Sequence, residues 1–219
     1  MAERDQDEDP DAPVALKLDA DNMPRDAEQA ILRLLDEIET LRAELNANKR
    51  RITYLENLAD RDPLTPVVNR RAFMRELERA KSFAERYGGA ASLVFIDLDG
   101  MKALNDAHGH ACGDRALMVV AETLIANVRA SDVVGRLGGD EFGVILARAN
   151  MAAATEKAAG LAKTIASARI DTDDGQIALS ASWGVVELGA TRDAAHALEC
   201  ADRAMYTQKR AQHNDPAAD

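Results

Sequence analysis

Val133-Val134-Gly135-Arg136-Leu137-Gly138-Gly139-Asp140-Glu141-Phe142-Gly143-Val144-Ile145-Leu146-Ala147 is the stretch that decides the fold. Two short apolar runs, Val133 to Leu137 and Phe142 to Ala147, flank a Gly-Gly connection, which is the pattern of a β-hairpin. A hairpin tip needs no acids, yet Asp140 and Glu141 stand side by side on it. Adjacent carboxylates repel and add nothing to stability, so this tip calls for a cation or a proton.

Upstream, Ser92-Leu93-Val94-Phe95-Ile96 reads as a buried strand that ends in Asp97-Leu98-Asp99-Gly100. Acids at the carboxyl end of such a strand, beside a glycine that lets backbone approach a ligand, suit a hard cation and a phosphate. Met101 to Asp106 can start a helix whose free amides would face that phosphate. Gly109-His110-Ala111-Cys112-Gly113-Asp114 reads as a polar loop able to read a base. It leads into a helix with Leu117, Val120, Ala121, Leu124 and Val128 on one face.

Taken together these residues resemble the GGDEF-domain diguanylate cyclases, which condense two GTP into cyclic di-GMP. The resemblance runs from Asp62-Pro63-Leu64-Thr65 and Asn69-Arg70-Arg71 through Phe95-Ile96-Asp97-Leu98-Asp99, Asn105-Asp106, Gly109-His110 and Gly113-Asp114. It continues through the hairpin to Ala201-Asp202-Arg203-Ala204-Met205-Tyr206. Spaced motifs in one order over residues 62 to 210 are far more specific than a lone Gly-Gly-Asp-Glu-Phe.

The resemblance implies that Asp97 and Asp140, with the Leu98 carbonyl, hold magnesium or manganese, and that Glu141 is a further ligand or the base for the attacking 3′-hydroxyl. Such a shell of oxygens shared with substrate phosphates suits magnesium. It also implies that Asn105 and Asp114 read guanine, the carboxylate accepting from the N1 and N2 donors. Gly138 and Gly139 would leave room for the nucleotide. Lys209 is the expected phosphate-binding lysine, with Lys102 a second candidate. Arg129-Ala130-Ser131-Asp132 stands at the spacing of the family's product-inhibition site, where arginine takes guanine's Hoogsteen edge. The rival reading is a surface ion pair. The next helix offers only Lys157 and Lys163, so a second inhibitory contact is unassigned. The chain departs from the family pattern at Pro66, Gly100-Met101 and Trp183, and has His213 where a phosphate-contacting arginine is usual.

That reaction needs two domains face to face, and residues 25–61 read as a coiled-coil dimerisation helix. With Ile31 at position a, the a series is Ile31, Ile38, Leu45, Ile52, Ala59 and the d series is Leu34, Leu41, Asn48, Leu55. Branched residues at a with leucine at d favour a parallel pair, and Glu37 with Arg42, Glu44 with Lys49 and Arg51 with Glu56 supply opposite charges between g and e positions. The alternative is an amphipathic helix packed on its own domain.

The 219 residues carry a net charge of −11. Residues 1–24 hold eight acids against two basic residues and three prolines, so this arm is expected to be disordered, as is the tail 213–219. No basic stripe exists to neutralise phosphates, which disfavours nucleic acid, and no apolar run reaches membrane-spanning length. A bacterial cytoplasmic setting follows. Cys112 and Cys200 are expected to stay thiols, and the tight His108-Gly109-His110-Ala111-Cys112 run lacks a fourth zinc ligand. Trp183 is expected in a buried strand with Leu179, Ala181, Val185 and Val186.

The element order after the coil reads helix, strand, helix, helix, hairpin, helix, strand, helix. It fits an α+β fold with a mixed central β-sheet covered by helices over residues 62–212. The resemblance refines this to the palm-like sheet of nucleotidyl cyclases. Three functions are carried forward: a dimeric diguanylate cyclase with product inhibition, a non-catalytic cyclic di-GMP receptor using Arg129 and Asp132, and a coiled-coil adaptor. A protein partner on the acidic arm or coil is one possible input.

Overall fold

The computed structural model describes residues 24–172 and 175–213; residues 1–23 of the expected acidic arm and 214–219 of the expected tail lie outside them. The chain divides into two units, Met1–Leu55 and Glu56–Asp219. α1 (Arg25–Asp60) begins in the first. Its expected a and d positions Leu34, Ile38, Leu41 and Leu45 are exposed, Leu34 to 57% and Leu41 to 56%. Apolar side chains at that spacing, left open to water over several turns, are what a helical partner would cover.

The second unit is built on a five-stranded sheet in the order β1 (Val68–Asn69), β3 (Val133–Arg136), β4 (Glu141–Ala147), β2 (Ala91–Leu98), β7 (Ala181–Glu187). β1 runs parallel to β3 and every other pairing is antiparallel, so the sheet is mixed as expected. β2 lies inside it and is buried on both faces, which is why its sequence is an unbroken apolar run rather than an alternating one. Its even residues Val94, Ile96 and Leu98 join a core closed by α4 (His110–Ala126) and α5 (Met151–Ser167). Its odd residues Leu93 and Phe95 join a second core closed by α2 (Arg70–Tyr87) and α6 (Ala194–His213).

Glycines set how closely that second layer approaches. Gly135 and Gly143 are cross-strand partners, and a Cβ on either would come within 2.6 and 2.4 Å of the Phe73 ring. A Cβ on Gly184 would lie 2.1 Å from the Ala201 carbonyl oxygen, so α6 rests its backbone on β7.

Three features differ from the sequence expectation. β5 (Arg169–Thr172) and β6 (Gly175–Ala178) form a separate two-stranded sheet, and β1 adds a two-residue edge strand. The expected Gly109–Asp114 loop is shorter: α3 (Met101–His108) ends at Gly109, whose φ of 78° breaks the helix, and α4 already starts at His110. Gly113 and Asp114 are therefore helical. Trp183 is partly buried against the α4 and α5 side of the sheet. Both cysteines are free thiols. No described helix is long and apolar enough to cross a membrane.

Candidate active site

Register brings the acids together. In the antiparallel pairing of β2 with β4, Asp97 stands directly opposite Glu141, so both side chains leave the sheet on the α2 and α6 face. The Leu98 N–H donates to the Asp140 carbonyl at 3.1 Å, which closes the ladder and sets Asp140 beside the end of β2. The hairpin tip is held by the Leu137 N–H donating to the Glu141 carbonyl at 2.8 Å. Neither Gly138 nor Gly139 has a left-handed backbone. Their use is space: a Cβ on Gly138 would meet the Glu141 carboxylate at 2.3 Å, and one on Gly139 would meet nothing.

Lys209 reaches this cluster from the last turns of α6. Its Nζ lies 2.5 Å from Asp97 Oδ1 and 2.9 Å from Asp99 Oδ1. Burial pushes the Asp97 carboxyl above its ordinary range. The Lys209 ammonium draws it down, Asp140 and Asp99 push it up, and the net effect is a raised value. Glu141 is raised as well, first by burial and then by the Asp97 charge, with Arg70 opposing and Asp140 and Asp202 adding. For Lys209 burial works against the charge, but its bonds to Asp97 and Asp99 prevail and hold the ammonium above its usual range. The site is a half-buried pocket of negative charge that one lysine does not neutralise.

Among the described residues no three carboxylate, imidazole or thiol groups converge on one point. A magnesium-type ion does not require that, since it keeps several waters and takes phosphate oxygens to complete its shell. The donors present are carboxylate and carbonyl oxygens, and they already grip an ammonium. The chemistry of the set therefore fits a hard divalent cation.

The expected guanine readers sit on the helices that follow β2. Asn105 on α3 packs on Gly113 of α4, where a Cβ would come within 2.0 Å of Asn105 Oδ1. That oxygen is buried and accepts no hydrogen bond among the described residues. Buried acceptors are rarely left unmatched, which suits a ligand donor. Asp114 is exposed one residue beyond Gly113. Lys102 is exposed on the first turn of α3 and no described bond ties it to the acids. The His213 side chain lies outside the described residues.

Arg129 and Asp132 lie at the other end of β4. The Asp132 carboxylate accepts from the Arg129 N–H at 3.0 Å and the Ala147 N–H at 3.1 Å. Ala147 is six residues from Glu141 along one strand, about 20 Å. Asp132 thus has a structural duty, while the exposed Arg129 side chain stays directed by no described partner.

Three contributors, Arg70, Arg136 and Ser182, were not singled out from sequence. Arg70 Nη1 donates to the Leu137 carbonyl at 2.8 Å. Arg136 donates through Nε and Nη2 to the Gly139 carbonyl at 3.2 and 2.8 Å, and through Nη1 to Asp62 at 3.2 Å. Asp99 and Ser182 bond each other at 3.0 Å. Arg70 and Arg136 lie in or beside quoted motifs, but their partners are nearly seventy residues away or more, or are main-chain atoms, and no local pattern reveals either.

Known proteins resemble this chain over most of its length. The family model described as "Diguanylate cyclase, GGDEF domain" matches residues 59–215. The chain is 33% identical over 182 residues to the diguanylate cyclase DgcS of Shewanella oneidensis, covering 82% of this chain and 60% of DgcS; it thus spans less than two thirds of that relative's length. Among solved structures it is similar to the diguanylate cyclase SiaD of Pseudomonas aeruginosa in complex with its activator SiaC. That match has a TM-score of 0.72 and 26% identity, over 85% of this chain and 72% of that one. It is also similar to the coiled coil and GGDEF domain of DgcB from Caulobacter crescentus in complex with c-di-GMP, with a TM-score of 0.70 and 27% identity, over 83% and 95%.

Proposed function

Because this chain belongs to the GGDEF family of diguanylate cyclases, we propose that it condenses two GTP into cyclic di-GMP and two pyrophosphates, each 3′-hydroxyl attacking the partner's α-phosphate across a homodimer. The observation that carries this reading is the cation-gripping end of β2, where Asp97 faces Glu141 in register and Lys209 rests on Asp97.

Asp97, Asp140 and the Leu98 carbonyl would hold magnesium or manganese. Bound there, the ions supply neutralisation of the triphosphate and of the departing pyrophosphate. Glu141 has a carboxyl raised by burial and by Asp97, which brings it nearer the range of a general base for the 3′-hydroxyl proton. Asn105 offers an acceptor that is buried and unmatched, and with Asp114 it would read guanine. The bare tip at Gly139 leaves room for a ribose and phosphate.

Pairing of two chains through a parallel coil on α1 is supported by its exposed a and d residues. Product inhibition at Arg129 and Asp132 would act from the far end of the hairpin. A protein partner on the acidic arm or α1 is the proposed input, in line with SiaD bound to its activator SiaC. The setting is the bacterial cytoplasm, where GTP is available.

The test is incubation of nucleotide-stripped protein with GTP and magnesium, with products separated by chromatography, beside Asp140→Asn. Cyclic di-GMP from the unaltered chain alone is expected; no product from either overturns the reading. Turnover per chain that is constant on dilution into the nanomolar range would remove the dimer from it. An Arg129→Ala variant that slows with product as the unaltered chain does would remove the inhibition.

A further inference from the structure

Lys209 is expected at the triphosphate, yet its ammonium stands on the carboxylates that await the cation, 2.5 Å from Asp97 Oδ1 and 2.9 Å from Asp99 Oδ1. A divalent ion and an ammonium cannot share an Asp97 oxygen, because like charges a few ångströms apart in a half-buried site repel by several kcal/mol at an effective dielectric of about 20. Cation entry therefore displaces Lys209 from Asp97.

Where the lysine goes is set by the other end of the pair. The Asp99 N–H donates to the Ser180 carbonyl at 2.9 Å, and its Oδ1 accepts from Ser182 Oγ at 3.0 Å. Ser182 is buried on β7 directly opposite Asp97, so it cannot swing away. The turn of α6 that carries Lys209 is fixed as well, since the Trp183 N–H donates to Gln208 Oε1 at 3.1 Å. Asp99 is anchored by main chain and side chain alike, and the proposed ligand set of Asp97, Asp140 and the Leu98 carbonyl does not include it.

We propose that Lys209 is a resident counter-ion that competes with the divalent cation for Asp97, and that Asp99, oriented by Ser182, is the positioning residue that keeps Lys209 in the site when the cation takes its place. This rests on the cyclase reading and deepens it. Released from Asp97 but still on Asp99, the ammonium is within reach of the triphosphate that arrives with the cation. The lysine thus opposes cation binding before the nucleotide comes and assists nucleotide binding after.

The opposed signs make the test. Mn2+ alone is titrated into the nucleotide-stripped full-length chain, and free Mn2+ is read by electron paramagnetic resonance, with unfolding midpoints confirming that each variant is folded. Lys209→Gln is expected to bind Mn2+ about tenfold tighter than the unaltered chain, the scale of removing one close charge, while its KM for GTP rises. Unchanged or weaker Mn2+ binding overturns the competition. Loss of positive field alone would also tighten binding, so a variant with no change of charge separates the two. Ser182→Ala loosens Asp99, leaves Lys209 longer on Asp97, and should weaken Mn2+ binding by about twofold to threefold. That loss should vanish when Lys209→Gln is also present. No loss, or an equal loss in both backgrounds, overturns the role given to Asp99. The readout needs no turnover. Absence of cyclic di-GMP would sink the functional reading and leave these affinities to be judged by themselves, whereas affinities that ignore Lys209 would sink this inference while turnover stood.

Discussion

Asp62 and Asp97 are the same residue type in two neighbourhoods of the same unit, and the difference between them separates structure from function. Asp62 Oδ1 accepts from the Leu64 and Thr65 N–H groups at 3.2 and 2.8 Å, from Thr65 Oγ at 2.7 Å and from Arg136 at 3.2 Å. Burial alone would raise its carboxyl, but the Thr65 and Arg136 bonds outweigh it and hold Asp62 below the usual carboxylate range. Asp97 has burial, three acidic neighbours and one lysine, and is held above that range. A carboxylate with its donors complete is a lock. One left short of donors can take a cation.

The largest effect should come from removing the Asp97 charge. Asp97→Asn is expected to lower cyclase turnover by about 10³-fold or more, while the metal-free protein unfolds at the same or a higher temperature because a repulsion has gone. Turnover by product chromatography and a thermal melt decide it. A fall in both would mean that Asp97, like Asp62, is part of the frame, and the contrast would break.

Asp62→Ala should do the reverse. It leaves the Leu64 and Thr65 N–H groups, the Thr65 hydroxyl and one Arg136 nitrogen without their acceptor, so a loss of about 2–3 kcal/mol is expected. A urea unfolding curve measures this, and a loss below about 0.5 kcal/mol would deny the lock. The same turn finishes α1. The Ala59 carbonyl accepts from Asn69 Nδ2 at 2.7 Å and Arg71 Nη2 at 3.0 Å, and Arg75 pairs with Asp60 at 2.5 Å. The Asn69-Arg70-Arg71 motif is therefore read here as a helix terminator, with Asn69 also capping α2 through the Ala72 N–H.

Acid titration sharpens the contrast through its sign. A carboxyl whose value is raised on folding contributes stability that is complete below its unfolded value and is lost as pH rises through the raised one. The ordinary values here are 3.8 for Asp97 and 4.5 for Glu141. In metal-free protein, stability should therefore fall as pH climbs from those values through the raised ones. For Asp62 the folded value is lowered. Its contribution is present above 3.8 and fades as pH falls below that value. The stability advantage of Asp97→Asn over the unaltered chain should be full near pH 7 and shrink toward pH 4. An advantage that grew on acidification would reverse the assignment. Unfolding midpoints in a chelating buffer across that range supply the measurement.

How much of this was readable beforehand depends on the range of the interaction. β2 and the β3–β4 hairpin are legible because burial on both faces writes a continuous apolar run, and because two acids on a glycine tip have no structural excuse. The start of α4 is read too late because Gly109, with its left-handed backbone, breaks the helix alone, whereas Gly113 sits inside the next one to make room for Asn105. β5 and β6 leave little trace because Arg169, Asp171 and Gln176 face water and only Ile170 and Ile177 mark the inner side. The acids of the site are local signals. Their partners are not: Lys209 meets Asp97 across 112 positions and Ser182 meets Asp99 across 83, and only the sheet register and the docking of α6 bring them together.

Arg136 belongs to both neighbourhoods, and the smallest predicted effect rests on it. One nitrogen of its guanidinium completes Asp62 while two others grip the Gly139 carbonyl at the tip. Lysine in its place carries the same charge but has a single nitrogen, so it can serve Asp62 or the tip and not both at once. Asp62 keeps its other three donors whichever is chosen, so stability should change by less than about 1 kcal/mol. The tip, with two glycines and no other described side-chain tether at Gly139, should loosen, and Asp140 and Glu141 follow it in sequence. Arg136→Lys is therefore expected to lower kcat by about threefold to tenfold at nearly constant unfolding midpoint. A loss of stability without loss of kcat would show that the lock ends at Asp62. The predicted split would show that the turn closing α1 is mechanically continuous with the hairpin tip.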